Sequence, residues 1–159
     1  LGSVHRAFLA LLREQAWPRD PVAVLEAMID AGTRDPAELA EAARRAIVPD
    51  LLRRRNTAMQ PLLLDPALER ALVQAWTGHG DLEAEATLHV RERIEAYASR
   101  VPRERAAVVC TAPLRPLLAD LLARSGLRVE VFAYAELPPE LALEPAEVVR
   151  LQEEYRHKI

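Results

Sequence analysis

Three Asp-Pro pairs constrain this chain more tightly than any other feature in it. Asp20-Pro21, Asp35-Pro36 and Asp65-Pro66 each put a side-chain acceptor directly before a residue that has no amide proton and a φ already suited to a helix. Aspartate satisfies the free N–H groups of a first turn, and proline is at home in that turn. Each pair therefore predicts a helix start, and apolar residues at helical spacing follow each one. Val22, Leu25, Met28 and Ile29 follow the first pair, and Gly32 closes that helix. Glu38 adds negative charge to the first turn after the second pair, where it favours the positive end of the helix dipole. Leu39, Ala43, Ala46 and Ile47 form the expected buried stripe, and Pro49 is expected to end or kink the helix. Leu68, Leu72, Val73 and Trp76 follow the third pair.

The segments between these starts complete the outline. Phe8, Leu9, Leu11 and Leu12 stand on an apolar helical stretch over about 4–15, stopped by Trp17-Pro18. Arg53-Arg54-Arg55-Asn56 is a polar break. Beyond it, Pro61-Leu62-Leu63-Leu64 is a short apolar run, and about 82–99 is helical, with Leu82, Ala86, Val90, Ile94 and Tyr97 on one side. Residues 106–110 and 128–134 read as strands. Between them lies a Leu-rich helix from Pro113 to Arg124, closed by Ser125-Gly126. The stretch after Glu144 is ambiguous: Glu144-Pro145 favours a helix start, while Val148-Val149 fits an edge strand. The fold class is α+β, with a helical subdomain over 1–57 and a small α/β subdomain of three or four strands over 58–159.

Composition bounds the function. Half of the 159 residues are hydrophobic and 28% are charged, the balance of a folded soluble domain. The formal net charge of −3 argues against non-specific nucleic-acid binding. Lys158 is the only lysine, a bias that GC-rich codon usage explains. With Cys110 as the one cysteine, no disulfide within the chain and no Cys-based zinc site can form. No uncharged stretch reaches membrane-spanning length, and no signal-peptide pattern opens the chain. Leu1 stands where an initiating Met would, so a cut domain, a processed product and a lost upstream anchor all stay open.

The search for chemistry returns one thin candidate. Cys110 closes a strand before a helix N-terminus, a position that lowers a thiol pKa, and Arg115 follows at the spacing of a sulfurtransferase loop. An anion cradle needs exposed backbone N–H groups, yet this loop has no glycine and Pro113 removes a donor. The competing reading is a buried strand cysteine behaving as a small hydrophobe. His5, His79, His89 and His157 lie at no ligand spacing and read as solvated surface, so no metal or cofactor is expected. Glu83, Glu85, Glu92 and Glu95 interleave with Arg91 and Arg93 as a solvated helix face, and Arg53–Arg55 reads as a helix C-terminus favoured by the dipole.

Read in order, several segments resemble one family. They are VHRAFLALLRE at 4–14, Arg19-Asp20, VLEAM at 24–28, AEL at 37–39, RRAI at 44–47, LDPALE at 64–69, VVCTAPLRPLL at 108–118 and VFAYAELPPE at 131–140. Their collinear order across nearly the whole chain resembles the cytosolic C-terminal region of the FHIPEP export-gate family. The chain departs from that pattern at Pro49, which interrupts a helix that is continuous in the family, and at 53–60, a different connection. Glu147-Val148-Val149-Arg150 falls where the family has its last strand.

That resemblance implies a non-enzymatic component of a bacterial type III export gate, flagellar or injectisome, corresponding to the third and fourth cytosolic subdomains. It implies nonameric rings of copies of the chain, with secretion chaperones, cargo and an ATPase stalk protein as further partners. It also implies a place at the cytoplasmic face of the inner membrane, reached through a segment absent from this chain. Arg19, Asp20, Arg34, Arg44 and Arg45 are the expected ring-facing residues, in contacts that salt should weaken. A stand-alone adaptor derived from the family and a small thiol enzyme using Cys110 are the alternatives.

Overall fold

A computed structural model of the chain describes residues 2–14, 16, 20–78, 83–144 and 147–150. The chain divides into two compact units: Leu1–Asn56 together with Ala135–Leu141, and Thr57–Tyr134 together with Ala142–Ile159. The expected division at residue 57 assigned Ala135–Leu141 to the α/β part, but these residues belong to the helical unit.

The helical unit contains α1 (Gly2–Arg13), α2 (Pro21–Asp30) and α3 (Pro36–Arg53). All three Asp-Pro starts form as expected, two of them here. Asp20 accepts from the Val22 amide at 2.9 Å, and Asp35 accepts from the Ala37 and Glu38 amides at 2.8 and 3.1 Å. Gly32, at φ 63°, turns the chain out of α2 in a conformation that disfavours side chains. α3 packs against both α1 and α2, and Ala7, Leu11, Val24, Met28, Leu39, Ala43, Ile47, Val48 and Leu52 form the interior.

α3 runs unbroken through Pro49 to Arg53. The helix forgoes the hydrogen bond that a residue-49 amide would make, and the expectation that Pro49 ends it fails. Val48 and Leu52 are buried on either side, and their burial offsets the missing bond. Ala46, expected in the buried stripe, is exposed.

Inside this unit, Arg44 is 3% exposed and Glu136 1%. Arg44 Nε donates to Glu136 Oε1 at 2.9 Å, Nη2 to Oε2 at 3.3 Å, and Nη1 to Glu14 Oε2 at 2.7 Å. One guanidinium thus ties together α3, the end of α1 and the returning segment. Two-pronged pairing of this kind is what makes a buried charge tolerable. Farther along α3, Arg53 donates to Asp50 at 2.6 Å and to Glu140 at 2.7 Å, and it holds the Glu140 carboxyl below its ordinary value.

The second unit is built on a parallel sheet of β1 (Leu62–Leu64), β2 (Ala107–Cys110), β3 (Glu130–Ala133) and β4 (Glu147–Val149), in the order β3-β2-β1-β4. α4 (Pro66–Trp76) and α5 (Glu83–Ala98) follow β1, and α6 (Arg115–Arg124) follows β2. All four β2 residues are buried, the mark of a central parallel strand covered on both faces. Leu68, Leu72, Val90, Ile94, Leu114, Leu118 and Leu122 pack with Val108 and Cys110 on one of those faces. Of the expected α5 stripe, Ala86, Val90, Ile94 and Tyr97 are buried, and Leu82 lies outside the described residues.

The Tyr97 hydroxyl donates to the Gln60 carbonyl and accepts from the Ala107 amide at 3.0 Å, pinning the starts of β1 and β2 to α5. The ambiguous stretch after Glu144 resolves as strand β4 at the sheet edge. It pairs Leu62 with Glu147, Leu63 with Val148 and Leu64 with Val149. Arg93 of α5 and Arg100, just past the end of α5, both reach the Glu147 carboxylate, the latter at 2.7 Å.

Candidate protein-docking face

α2 has more apolar residues than one buried stripe can use. Val24 and Met28 face the interior of the helical unit, but Val22, Leu25 and Ile29 are 58%, 43% and 75% exposed. Their i, i+3, i+7 spacing puts them on one side of the helix. Ser3 and Val4 of α1, Leu25, Met28 and Ile29 of α2, Thr33 and Arg34 of the connecting loop, and Leu39 of α3 line a groove of about 500 Å³. Thr33 Oγ1 accepts from the Asp35 amide at 3.1 Å, which ties the loop wall to the α3 cap. Exposed Glu26 and Asp30 lie on α2, and among the described residues of the groove wall the charged one is Arg34. A depression of mixed polar and apolar lining can hold a partner in part by removing its apolar surface from water, about 25 cal/mol per Å². Exposed apolar residues grouped this way commonly mark interaction sites.

The five expected interface residues have separate fates. Arg34 lines the groove. Asp20 is exposed but occupied as the α2 cap. Arg45 is exposed on α3. Arg44 is interior and bound to Glu14 and Glu136, so it offers no charge to a neighbour. Arg19 lies outside the described residues, as do His79 and His157. Sequence reasoning looked for charge and passed over Val22, Leu25 and Ile29. The available signal was the breadth of apolar positions around α2, which exceeds one face.

The Cys110–Arg115 loop cannot act as a thiol-enzyme cradle. Cys110 and Arg115 are both fully buried. The Leu114 and Arg115 amides already donate to the Thr111 carbonyl at 3.1 and 3.0 Å. The Thr111 amide donates to Glu69 Oε2 at 3.2 Å, so an internal carboxylate holds the place an anionic substrate would need. Glu69 itself is buried, and burial pushes its carboxyl above the ordinary value, against the lowering effect of hydrogen bonds from Thr111 and Tyr134. Burial first, and the neighbouring Glu69 and Cys110 next, push the Tyr134 phenol up as well. Among the described residues, no three His, Cys, Asp or Glu side chains gather where they could hold a metal.

The FHIPEP family model matches residues 1–142. The chain belongs to the FHIPEP family. FHIPEP proteins are components of the type III export gate. Over 144 residues the chain is 31% identical to the flagellar biosynthesis protein FlhA of Salmonella typhimurium (strain LT2), covering 86% of this chain and 21% of that protein. Among solved structures, nonameric EPEC SctV-C is similar at a TM-score of 0.71 and 18% identity, over 92% of this chain and 48% of that one. The Chlamydia pneumoniae CdsV chain solved with CdsO is similar at 0.75 and 19%, over 91% of this chain and 45% of that one. The chain thus spans about a fifth of the curated FHIPEP relative and just under half of these solved chains. The departure from the family pattern expected at Pro49 does not occur, since α3 is continuous there. Among the described residues, no helix is long and apolar enough to cross a membrane.

Proposed function

We propose that this chain is a ring-assembly and protein-docking module of a bacterial type III export gate, acting at the cytoplasmic face of the inner membrane without a chemical step. The helical unit seats a second copy of the chain in the groove between α1, α2 and α3. The observation that carries this reading is the exposed Val22–Leu25–Ile29 stripe beside a groove whose wall includes Arg34. The nonameric assembly of a similar chain supports a copy of the same protein as the occupant. A second docking partner, corresponding to CdsO of the Chlamydia pneumoniae complex, engages the module elsewhere, and chaperones and cargo reach it through the rest of the gate.

A probe at the stripe tests this. Ile29→Cys introduces an exposed thiol in a chain whose own Cys110 is buried, so a spin label attaches at one place. The label is expected to lose mobility as protein concentration rises and to regain it on dilution. A label that stays freely mobile throughout, while a label at Arg45→Cys is immobilised, would move the interface off this groove.

A further inference from the structure

The segment Ala135–Leu141 is attached to α3 in an unusual way. Leu137-Pro138-Pro139 contains two residues without amide protons, so the segment has little backbone with which to hold the helix. Its polar attachments are two side chains, Glu136 on Arg44 and Glu140 on Arg53, with Pro138 buried between them, so only the exposed stretch from Pro139 on depends on the outer pair. Nine residues of helix separate the two arginines, a rise of about 13.5 Å. The four-residue step from Glu136 to Glu140 reaches at most about 14 Å. The segment therefore runs alongside α3 in the same chain direction. The long Arg and Glu side chains take up what is lost in the turn closed by Leu141 N–H to the Pro138 carbonyl at 3.0 Å.

The two attachments differ in kind. Glu136–Arg44 is buried, two-pronged and shared with Glu14. Glu140–Arg53 is exposed, and Arg53 has Asp50 as a standing alternative partner. Exposed pairs are weak and screened by salt, while buried pairs are costly to break.

We propose that Ala135–Leu141 is a strap that peels from α3 at its Arg53–Glu140 end while the Arg44–Glu136 anchor holds. Letting go of the outer pin costs little, because Arg53 falls back on Asp50 and Glu140 goes to water. The exposed end of the strap therefore opens within the helical unit, and salt or a competing charged segment of a bound protein would open it without unfolding that unit.

Amide hydrogen exchange on the full chain tests the strap. Leu141 is the reporter, because its amide is bonded only when the turn at Pro138 is closed. Raising salt from low to near-molar is expected to speed Leu141 exchange about two- to five-fold while α3 interior amides keep their rates. Glu140→Gln is expected to show the faster rate at low salt and to lose the salt response. Glu136→Gln should instead speed strap and α3 amides together, as the buried anchor fails. Leu141 exchange that ignores both salt and Glu140→Gln would overturn the proposal. So would strap and α3 amides that exchange as one unit in the unsubstituted chain.

Discussion

Arg44 and Glu136 lie 92 positions apart, yet they meet through two hydrogen bonds of 2.9 and 3.3 Å in the interior of the helical unit. The pair sets the limits of that unit. Helices α1–α3 without residues 135–141 would leave Arg44 with Glu14 as its one remaining carboxylate among these contacts.

Removing one member should therefore be expensive. Glu136→Leu is expected to cost about 3 kcal/mol, near the lower end for a broken buried pair because Glu14 remains. Glu14→Gln should cost less, since Glu14 is partly exposed. Denaturant unfolding of each variant measures both. The double variant Arg44→Leu with Glu136→Leu is expected to recover part of the loss, because no charge is then left buried alone.

Glu69 gives a pH dependence with a definite sign. Its carboxyl is raised in the folded state, so the folded protein holds that proton more tightly than the unfolded chain does. Its contribution to stability is full below the unfolded value and is lost as pH rises through the folded one. Glu69→Gln keeps an acceptor for the Thr111 amide and carries no charge. It is expected to be more stable than the unsubstituted chain at neutral pH, by about 1 kcal/mol. The advantage should shrink as pH falls from the raised folded value toward the ordinary carboxylate one, and should be gone below it. Thermal melts across pH 4–8 check it, and a Gln variant that is less stable at pH 7 would contradict the sign.

Cys110 is expected to behave as core. Alkylation of the native protein should be slow and should track unfolding conditions, because the thiol has no exposed surface. Cys110→Ala is expected to fold, at a cost of about 1 kcal/mol. A rapid reaction under native conditions would reopen the thiol-enzyme reading.

Much of the fold could be read locally. Asp20, Asp35 and Asp65 declare three helix starts through chemistry confined to three or four residues. Strand β2 follows from the compact apolar run at 106–110, and β3 from Val129, Val131 and Tyr134. What escaped is whatever a distant partner decides. Nothing near Glu136 says that it leaves the sheet unit to meet Arg44. Strand β4 is settled by its pairing with β1, against a helix-start signal at Glu144-Pro145. Pro49 argues locally for a break, and the burial of Val48 and Leu52 overrides it. At the docking face the apolar residues of α2 are plain in the sequence, but the side that α3 covers is not. The surface left over, Val22, Leu25 and Ile29, emerges only when the three helices are assembled.

The central claim is that this leftover surface joins copies of the chain. Light scattering of the full chain at low salt, over rising concentration and alongside Ile29→Asp, tests it most directly. The account predicts a mass that climbs above that of a single chain for the unsubstituted protein. It predicts a single-chain mass throughout for Ile29→Asp, with unfolding curves that match. Equal masses for the two proteins at every concentration would contradict it.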